Sequence, residues 1–204
     1  MKRKKNLKKL RLYKIVIKKP SRKKAAEAGT EFHKWAAAQL DPSNNKQGKI
    51  DGENKDEIAK WQEVFLASKW PAREVYSVEK AYTVQVPGIS DPITAKMDAV
   101  FKGNLKGGDL NFKLTIVDWK TGKMPRGEKD RKEKLLQLDI YRLVLSRALD
   151  KDINDIDACL YYVSATSGEN PQIDAEDNSE DEILETIMTP EGLCARSNDE
   201  QEGE

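Results

Sequence analysis

The chain has 204 residues, of which 38% are hydrophobic and 35% are charged, and its formal net charge is +1. This length suits one globular domain with a buried core, and the polar composition indicates solvated ends. The low net charge hides an uneven distribution: Met1 to Lys24 hold thirteen Lys or Arg and no acid, whereas Asp174 to Glu204 hold twelve acids and one base. We therefore predict a basic arm at 1–24, a folded domain at 25–173 and an acidic tail at 174–204.

The composition excludes several classes of protein. No stretch reaches the roughly 18 apolar residues of a membrane span, and the charged N-terminal segment lacks the apolar core of a signal peptide. The two cysteines, Cys159 and Cys194, lie too far apart in sequence to indicate a disulfide framework, and they exclude a four-cysteine zinc or iron–sulfur site within this chain. We expect a cytoplasmic protein with free thiols and no membrane partner. The basic arm favours a polyanion, although a solubilising role explains both charged ends equally well.

The N-terminal third is predicted to be helical. An Ala-rich segment with an apolar stripe predicts a helix at 22–40, although Gly29 weakens it and favours a start nearer Thr30 as an alternative. The composition of 41–53 predicts a loop. Apolar residues recurring at three and four predict a second helix at 54–69.

The rest of the chain alternates strand and helix signals. Strands are predicted at 74–86, 93–101, 112–120 and 157–163, and helices at 130–149 and 180–188. This order predicts an α/β (α+β) fold with a mixed central sheet of about four strands flanked by helices. In it, three meandering strands are followed by a crossover helix and a strand that returns to the sheet.

The segment TIVDWKTG carries the first chemical signal. Thr115, Ile116 and Val117 read as the end of a buried strand, and the acid and lysine that follow are two residues apart. Side chains at i and i+2 of a strand share a face, so Asp118 and Lys120 should point the same way while Trp119 points to the opposite face. A surface ion pair on an edge strand is the alternative.

A second acid, Asp98, lies within the apolar strand MDAVF. Burial of a carboxylate is costly unless it binds a cation or receives hydrogen bonds. A short Gly-rich connection indicates that this strand forms a hairpin with the strand carrying Asp118, so the two acids should lie close together. Mg²⁺ suits such a pair, and Lys120 would orient an attacking water or neutralise charge developing on a phosphate. Two unrelated acids on a wet sheet face are the alternative.

Three further residues are ambiguous from spacing alone. Gln137 and Tyr141 are four apart on the long helix and share a face, from which they can reach the same cleft if the helix packs beside the third strand. Ordinary packing explains Tyr141 equally well. His33 is the only histidine, and a lone helical histidine is more often a core or surface residue than a ligand.

Taken together, these segments resemble a known family. GTEFHKW, MDAVF, VDWKTG and QLDIYRL occur in the order of the motifs of RecB-type nucleases of the PD-(D/E)XK superfamily, over about residues 20–165. More narrowly, KKPSRKKAAEAGTEFHKW, FLASKW, MDAVF and VDWKTG resemble the C-terminal nuclease domain of some bacterial UvrD-like ATP-dependent DNA helicases. The resemblance implies a restriction-endonuclease-like core.

The resemblance also implies roles for individual residues. Asp98 and Asp118 would bind the metal together with the Trp119 carbonyl, and His33 would be the additional ligand of the RecB type. Lys120 would be the catalytic lysine, and Gln137 with Tyr141 would form the motif on the DNA side. Related AddB-type enzymes hold an iron–sulfur cluster through cysteines that this chain lacks, so we expect no cluster.

We therefore expect a Mg²⁺-dependent DNA nuclease, with Mn²⁺ able to substitute, that acts as an exonuclease on single-stranded DNA or duplex ends in repair or recombination. No Walker A sequence is present, so the UvrD-like helicase motor would lie in the same polypeptide outside this sequence or in a partner. The alternatives are a catalytically silent, nuclease-like DNA-binding or docking module of a helicase and a basic-arm protein that binds RNA.

Overall fold

The computed structural model describes residues 23–41, 55–106 and 112–188. Of the predicted basic arm at 1–24, residues 1–22 lie outside the described residues, and so does the part of the predicted acidic tail (174–204) beyond 188. The described helices and strands are α1 (Lys23–Leu40), α2 (Lys55–Ala67), β1 (Val75–Val84), β2 (Ile93–Lys102), β3 (Leu114–Lys120), α3 (Glu128–Leu149), β4 (Ile156–Tyr162), β5 (Gln172–Asp174) and α4 (Glu180–Met188).

The strands of the described chain form one mixed sheet in the order β1-β2-β3-β4-β5. Strands β1, β2 and β3 pair antiparallel, β3 and β4 pair parallel, and β4 and β5 pair antiparallel. A parallel pair needs a crossover connection, and α3 supplies it between β3 and β4. The predicted fold class, with three meandering strands, a crossover helix and a returning strand, is confirmed.

The sheet separates two hydrophobic cores. On one face, β3 and β4 pack against α3 and α4 through residues such as Ile116, Leu138 and Ile183. On the opposite face, aromatic side chains of α1 and α2 pack against the strands, among them Phe32 and Trp119. Burial on both faces explains why β3 and β4 read as nearly continuous apolar runs. Among the helices described here, none combines the length and the apolarity that crossing a bilayer requires.

Apart from shifts of one or two residues at other ends, the structure differs from the predictions in three respects. Strand β5 adds a fifth strand, which has only three residues and therefore gives no alternating pattern of its own. Helix α3 begins at Glu128 after Gly127, two residues earlier than predicted, and no side chain caps it. Helix α1 begins at Lys23, so Gly29 lies inside the helix and the alternative start near Thr30 is wrong.

A buried arginine ties α3 to the C-terminal part of the domain. Arg142 is only 3% exposed. Its guanidinium donates to the carbonyl oxygens of Ile156 at 2.9 Å, Glu176 at 2.7 Å and Asn178 at 3.0 Å, and lies 3.7 Å from Asp139 Oδ1. The planar fork of donors suits an arginine to this task, because several carbonyl groups can be satisfied at once. The helix is thereby held against β4 and against the segment between β5 and α4.

Candidate active site

The two acids predicted on neighbouring strands meet where those strands separate. The β2–β3 ladder ends with Ala99 opposite Val117. Beyond this pair, the backbone N–H of Trp119 donates to Asp98 Oδ2 at 2.9 Å. The Asp98 carboxylate therefore contacts the β3 backbone directly, one residue beyond Asp118, which agrees with the predicted hairpin.

An irregularity in β2 aims Asp98 toward the site. Met97 faces the core under α3, whereas Ala99 faces the core under α1 and α2. Side chains of a regular strand alternate, so residues 97 and 99 should face the same way, and the alternation shifts at Asp98. In β1, Glu79 lies opposite Asp98. Its φ is 51°, in the left-handed region that a residue with a Cβ rarely adopts. Such local breaks re-aim side chains, and they cluster at functional sites.

Helix α1 brings an imidazole to the same place. His33 Nδ1 lies 3.2 Å from Asp98 Oδ2. One ligand atom from each of His33, Glu79 and Asp98 lies within 4.8 Å of the others. Glu79 also forms an ion pair with Lys96. Glu79 was not predicted from sequence. Its only signal is an acid within a strand whose alternation is partial, which is also common on solvent-facing strands.

A second set of contacts joins the end of β3 to α3. Lys120 Nζ lies 2.5 Å from Asp118 Oδ2 and donates to Gln137 Oε1 at 3.3 Å. The Gln137 amide nitrogen donates to Asp118 Oδ2 at 3.0 Å and to the Tyr141 hydroxyl at 2.8 Å. The glutamine thus contacts the acid, the lysine and the tyrosine at once. Tyr141 is 7% exposed, so it belongs both to the packed helix face and to this polar network.

The electrostatics of the two carboxyl groups differ sharply. Burial raises the pKa of Asp118 and the charge of Asp98 adds to this effect, while Lys120 opposes it, so that the pKa lies at about 6. Burial also disfavours the Asp98 carboxylate, but His33 and the Trp119 N–H lower the pKa of Asp98 to about 2. For Tyr141, burial and the Asp118 charge raise the pKa well above its usual value. The site therefore combines concentrated negative charge with a neutral phenol.

The donor set fits a divalent cation. The charge of Asp98 raises the pKa of Asp118, so the two carboxyl groups lie close enough to repel each other when both are ionised. A cation in the same place would relieve this repulsion, since it attracts both carboxylates. Two carboxylates and an imidazole suit Mg²⁺ or Mn²⁺, because both metals accept oxygen-rich sites and keep some of their waters.

Trp119 contributes support from the opposite face of the sheet. Its side chain is 1% exposed and faces the aromatic core, as the alternation around Asp118 and Lys120 predicts. Its ring contacts Phe65 edge-on with a centroid distance of 5.1 Å and Tyr161 at 6.0 Å. Rigid packing of this kind holds the end of β3 in one position, which a metal or substrate site needs. The metal-binding role of the Trp119 carbonyl stays a prediction.

All the side chains singled out from the sequence converge at one edge of the sheet: His33, Asp98, Asp118, Lys120, Gln137 and Tyr141. Their catalytic and metal-binding roles stay predictions, but their proximity is a property of the fold.

One of two sequence comparisons relates the chain to a known family. A search of curated proteins found no significant match to the chain. The sequence model of the PD-(D/E)XK nuclease superfamily matches residues 7–200. Members of this superfamily are generally metal-dependent nucleases. The match covers nearly the whole chain, and the mixed sheet with flanking helices agrees with the fold of that superfamily. The chain therefore belongs to the PD-(D/E)XK nuclease superfamily.

Proposed function

We propose that this protein is a Mg²⁺-dependent DNA nuclease that hydrolyses phosphodiester bonds. The observation that carries the proposal is the convergence of an imidazole, two carboxylates and a lysine at the end of β3. His33, Asp98 and Asp118 would hold the cation, with Mn²⁺ able to replace Mg²⁺. Glu79 lies close enough to act as a further ligand or to orient His33.

The residues of the chain divide the chemical work. When bound, the cation polarises a phosphate oxygen and makes a coordinated water more acidic. The Lys120 ammonium, held by Asp118 and Gln137, places positive charge beside the phosphoryl oxygens, where negative charge develops in the pentacoordinate transition state. Gln137 fixes the positions of Asp118 and Lys120 relative to each other, and its contact with Tyr141 fixes the tyrosine. The tyrosine hydroxyl, kept neutral by its raised pKa, can hydrogen-bond a phosphate oxygen.

The finer assignment rests on the order of the motifs. The sequence segments around His33, Asp98, Asp118 and Gln137 follow the RecB-type order, which supports an exonuclease that works on single-stranded DNA or duplex ends. Such a nuclease would act with a UvrD-like helicase motor, in the same or a partner polypeptide, in DNA repair or recombination in the cytoplasm. The basic arm at 1–24 would add affinity for the DNA backbone.

Replacing Asp118 tests the central proposal. We expect Asp118→Ala to reduce Mg²⁺-dependent cleavage of end-labelled single-stranded DNA on the order of 10³-fold, since the change removes a ligand and the partner of Lys120. Lys102→Ala is a matched control, because Lys102 forms an exposed ion pair with Glu74 at the far end of β2. Unchanged cleavage by Asp118→Ala would reject the assigned site. A wild-type chain that binds DNA but neither binds Mn²⁺ nor cleaves would favour the docking module.

A further inference from the structure

Helix α1 meets the side chain of Thr121, in the loop after β3, at a position where the helix itself has no side chain. Gly29 is buried within α1. A Cβ at this position would lie 2.9 Å from Thr121 Oγ1 and 4.0 Å from Thr121 Cβ. Ordinary contacts of a Cβ begin at 3.4 Å, so a methyl group here is about half an ångström too close to the hydroxyl. Thr121 directly follows Lys120, and the contact is therefore made at the edge of the candidate site.

The same helix carries His33 one turn further along. Residues four apart share a face of a helix and are separated by about 6 Å along its axis. His33 contacts Asp98 on β2 at 3.2 Å, while Gly29 contacts the residue that follows β3. Helix α1 thus meets the end of the sheet at two points. The contact at Gly29 limits how closely His33 can approach Asp98.

Glycine at this position is unfavourable for the helix itself. Apart from proline, glycine is the poorest helix former, and alanine in an open interior position normally stabilises a helix. By contrast, Gly122 and Gly127 have no atom within 4 Å of a Cβ placed on them. The close approach to Thr121 therefore distinguishes Gly29 from its neighbours in the same region.

We propose that Gly29 is a positioning residue of the metal site: the absence of a side chain lets α1 lie deep enough for the His33 imidazole to reach the cation held by Asp98. Ligand distances in metal sites are defined to about 0.2 Å. A displacement of α1 by half an ångström is large on that scale. This inference rests on the proposed metal site, and its test distinguishes a failure of the positioning role from a failure of the metal site.

The test uses four variants of the untagged chain. Gly29→Ala introduces the contact, and Gly29→Ala with Thr121→Ala removes the hydroxyl that it meets. Gly29→Ala with Thr121→Val keeps an atom of similar size in that place. Gly127→Ala is the control for a glycine in open space. Two quantities are measured: the affinity for Mn²⁺, and the NMR signals of the single imidazole in the metal-free chain.

We expect Gly29→Ala to weaken Mn²⁺ binding about 10- to 100-fold, the range found when groups that orient ligands are changed. The imidazole signals should shift in the metal-free chain. Adding Thr121→Ala should restore both quantities, whereas adding Thr121→Val should not. Gly127→Ala should match the wild type in both.

Each other outcome rejects a specific statement. Wild-type behaviour of Gly29→Ala, or equal behaviour of the two double variants, would overturn the positioning role. If the wild type itself binds no Mn²⁺, the proposed metal site is wrong. In that case the imidazole signals still show whether Gly29 sets the position of His33. Thermal unfolding shows whether each variant is folded at the temperature of the titration. A loss of Mn²⁺ affinity in a folded Gly29→Ala chain then reports a local displacement.

Discussion

The candidate site has two halves that are assembled in different ways. In the β3–α3 half, Asp118, Lys120, Gln137 and Tyr141 come from one short stretch of sequence and are linked by side-chain hydrogen bonds and an ion pair. In the α1–β1–β2 half, His33, Glu79 and Asp98 come from three separate elements. Contacts among its own side chains position the residues of the β3–α3 half, whereas the geometry of the α1–β1–β2 half depends on how three elements pack.

This difference indicates a division of labour. The β3–α3 half compensates its charges internally, because Lys120 and Gln137 already face Asp118. The α1–β1–β2 half concentrates two acids and an imidazole, which favours an added cation. We therefore expect changes at Lys120, Gln137 and Tyr141, which are not ligands in the proposed site, to affect turnover more than metal affinity. Changes in the α1–β1–β2 half should affect metal affinity first.

The largest effect is expected at Asp98, which contacts both halves through His33 and the Trp119 N–H. Asp98→Asn should reduce Mn²⁺ affinity and cleavage on the order of 10³-fold, because it removes a ligand charge. The amide oxygen can still accept from Trp119, so the chain should fold. Isothermal titration with Mn²⁺ and a cleavage assay measure both quantities, with Asp174→Asn on the edge strand as the control. Retained metal affinity would remove Asp98 from the ligand set.

Replacing Lys120 should distinguish the roles of the two halves most clearly. Lys120→Met should reduce cleavage about 10²- to 10³-fold, since a positive charge at the phosphate is lost. Mn²⁺ affinity should not fall, because the Asp118 carboxylate is then free of its ammonium partner. The same titration and assay measure this contrast. A parallel loss of metal affinity would show that the two halves do not act separately.

Gln137 should give an intermediate effect. Gln137→Leu preserves most of the side-chain volume but removes the hydrogen bonds to Asp118, Lys120 and Tyr141. We expect cleavage to fall about 10- to 100-fold, the range for groups that orient a ligand. Single-turnover cleavage rates measure the loss, and Tyr141→Phe, which keeps the amide contacts to the acid and lysine, should lose less. An equal or greater loss for Tyr141→Phe would place the tyrosine nearer to the chemistry than the amide.

The smallest effect is expected at Glu79. Glu79→Gln keeps the side-chain shape, so we expect Mn²⁺ affinity to fall up to about 10-fold through the lost charge. The change also removes the ion pair with Lys96, and Lys96→Met measures that contribution alone. If the two variants behave alike in the titration, Glu79 acts through the surface ion pair and not at the metal.

The β3–α3 half was predictable because its signals are local. The alternation around Asp118 and Lys120 predicts a shared face, and the spacing of Gln137 and Tyr141 predicts another. The only tertiary assumption is that α3 packs beside β3, which follows from the crossover connection that a parallel pair requires. The strand and helix positions around this half differ from the predictions by only a few residues.

The other half could be predicted only in part. The burial of Asp98 in an apolar strand is a signal in the sequence, but the shift in alternation that aims it is a tertiary feature. Glu79 gives only a weak local signal, since an acid in a strand of partial alternation is also common on solvent-facing strands, and nothing in its residue type predicts the left-handed φ of 51°. For His33, the ligand role was predicted from the family resemblance, because helical spacing alone gives no reason to expect it. Strand β5 is too short to carry a pattern, and its pairing with β4 defines it.

The buried guanidinium of Arg142 limits how far the domain can be trimmed. Two of its carbonyl acceptors, on Glu176 and Asn178, belong to the polypeptide after β5. A recombinant fragment ending at 173 would leave this cation enclosed on α3 with fewer acceptors, and a buried charge that lacks partners is costly. Because α3 also carries Gln137 and Tyr141, a shortened fragment with weak cleavage would report a loosened helix and not an inert centre. Expression boundaries are therefore best placed beyond α4.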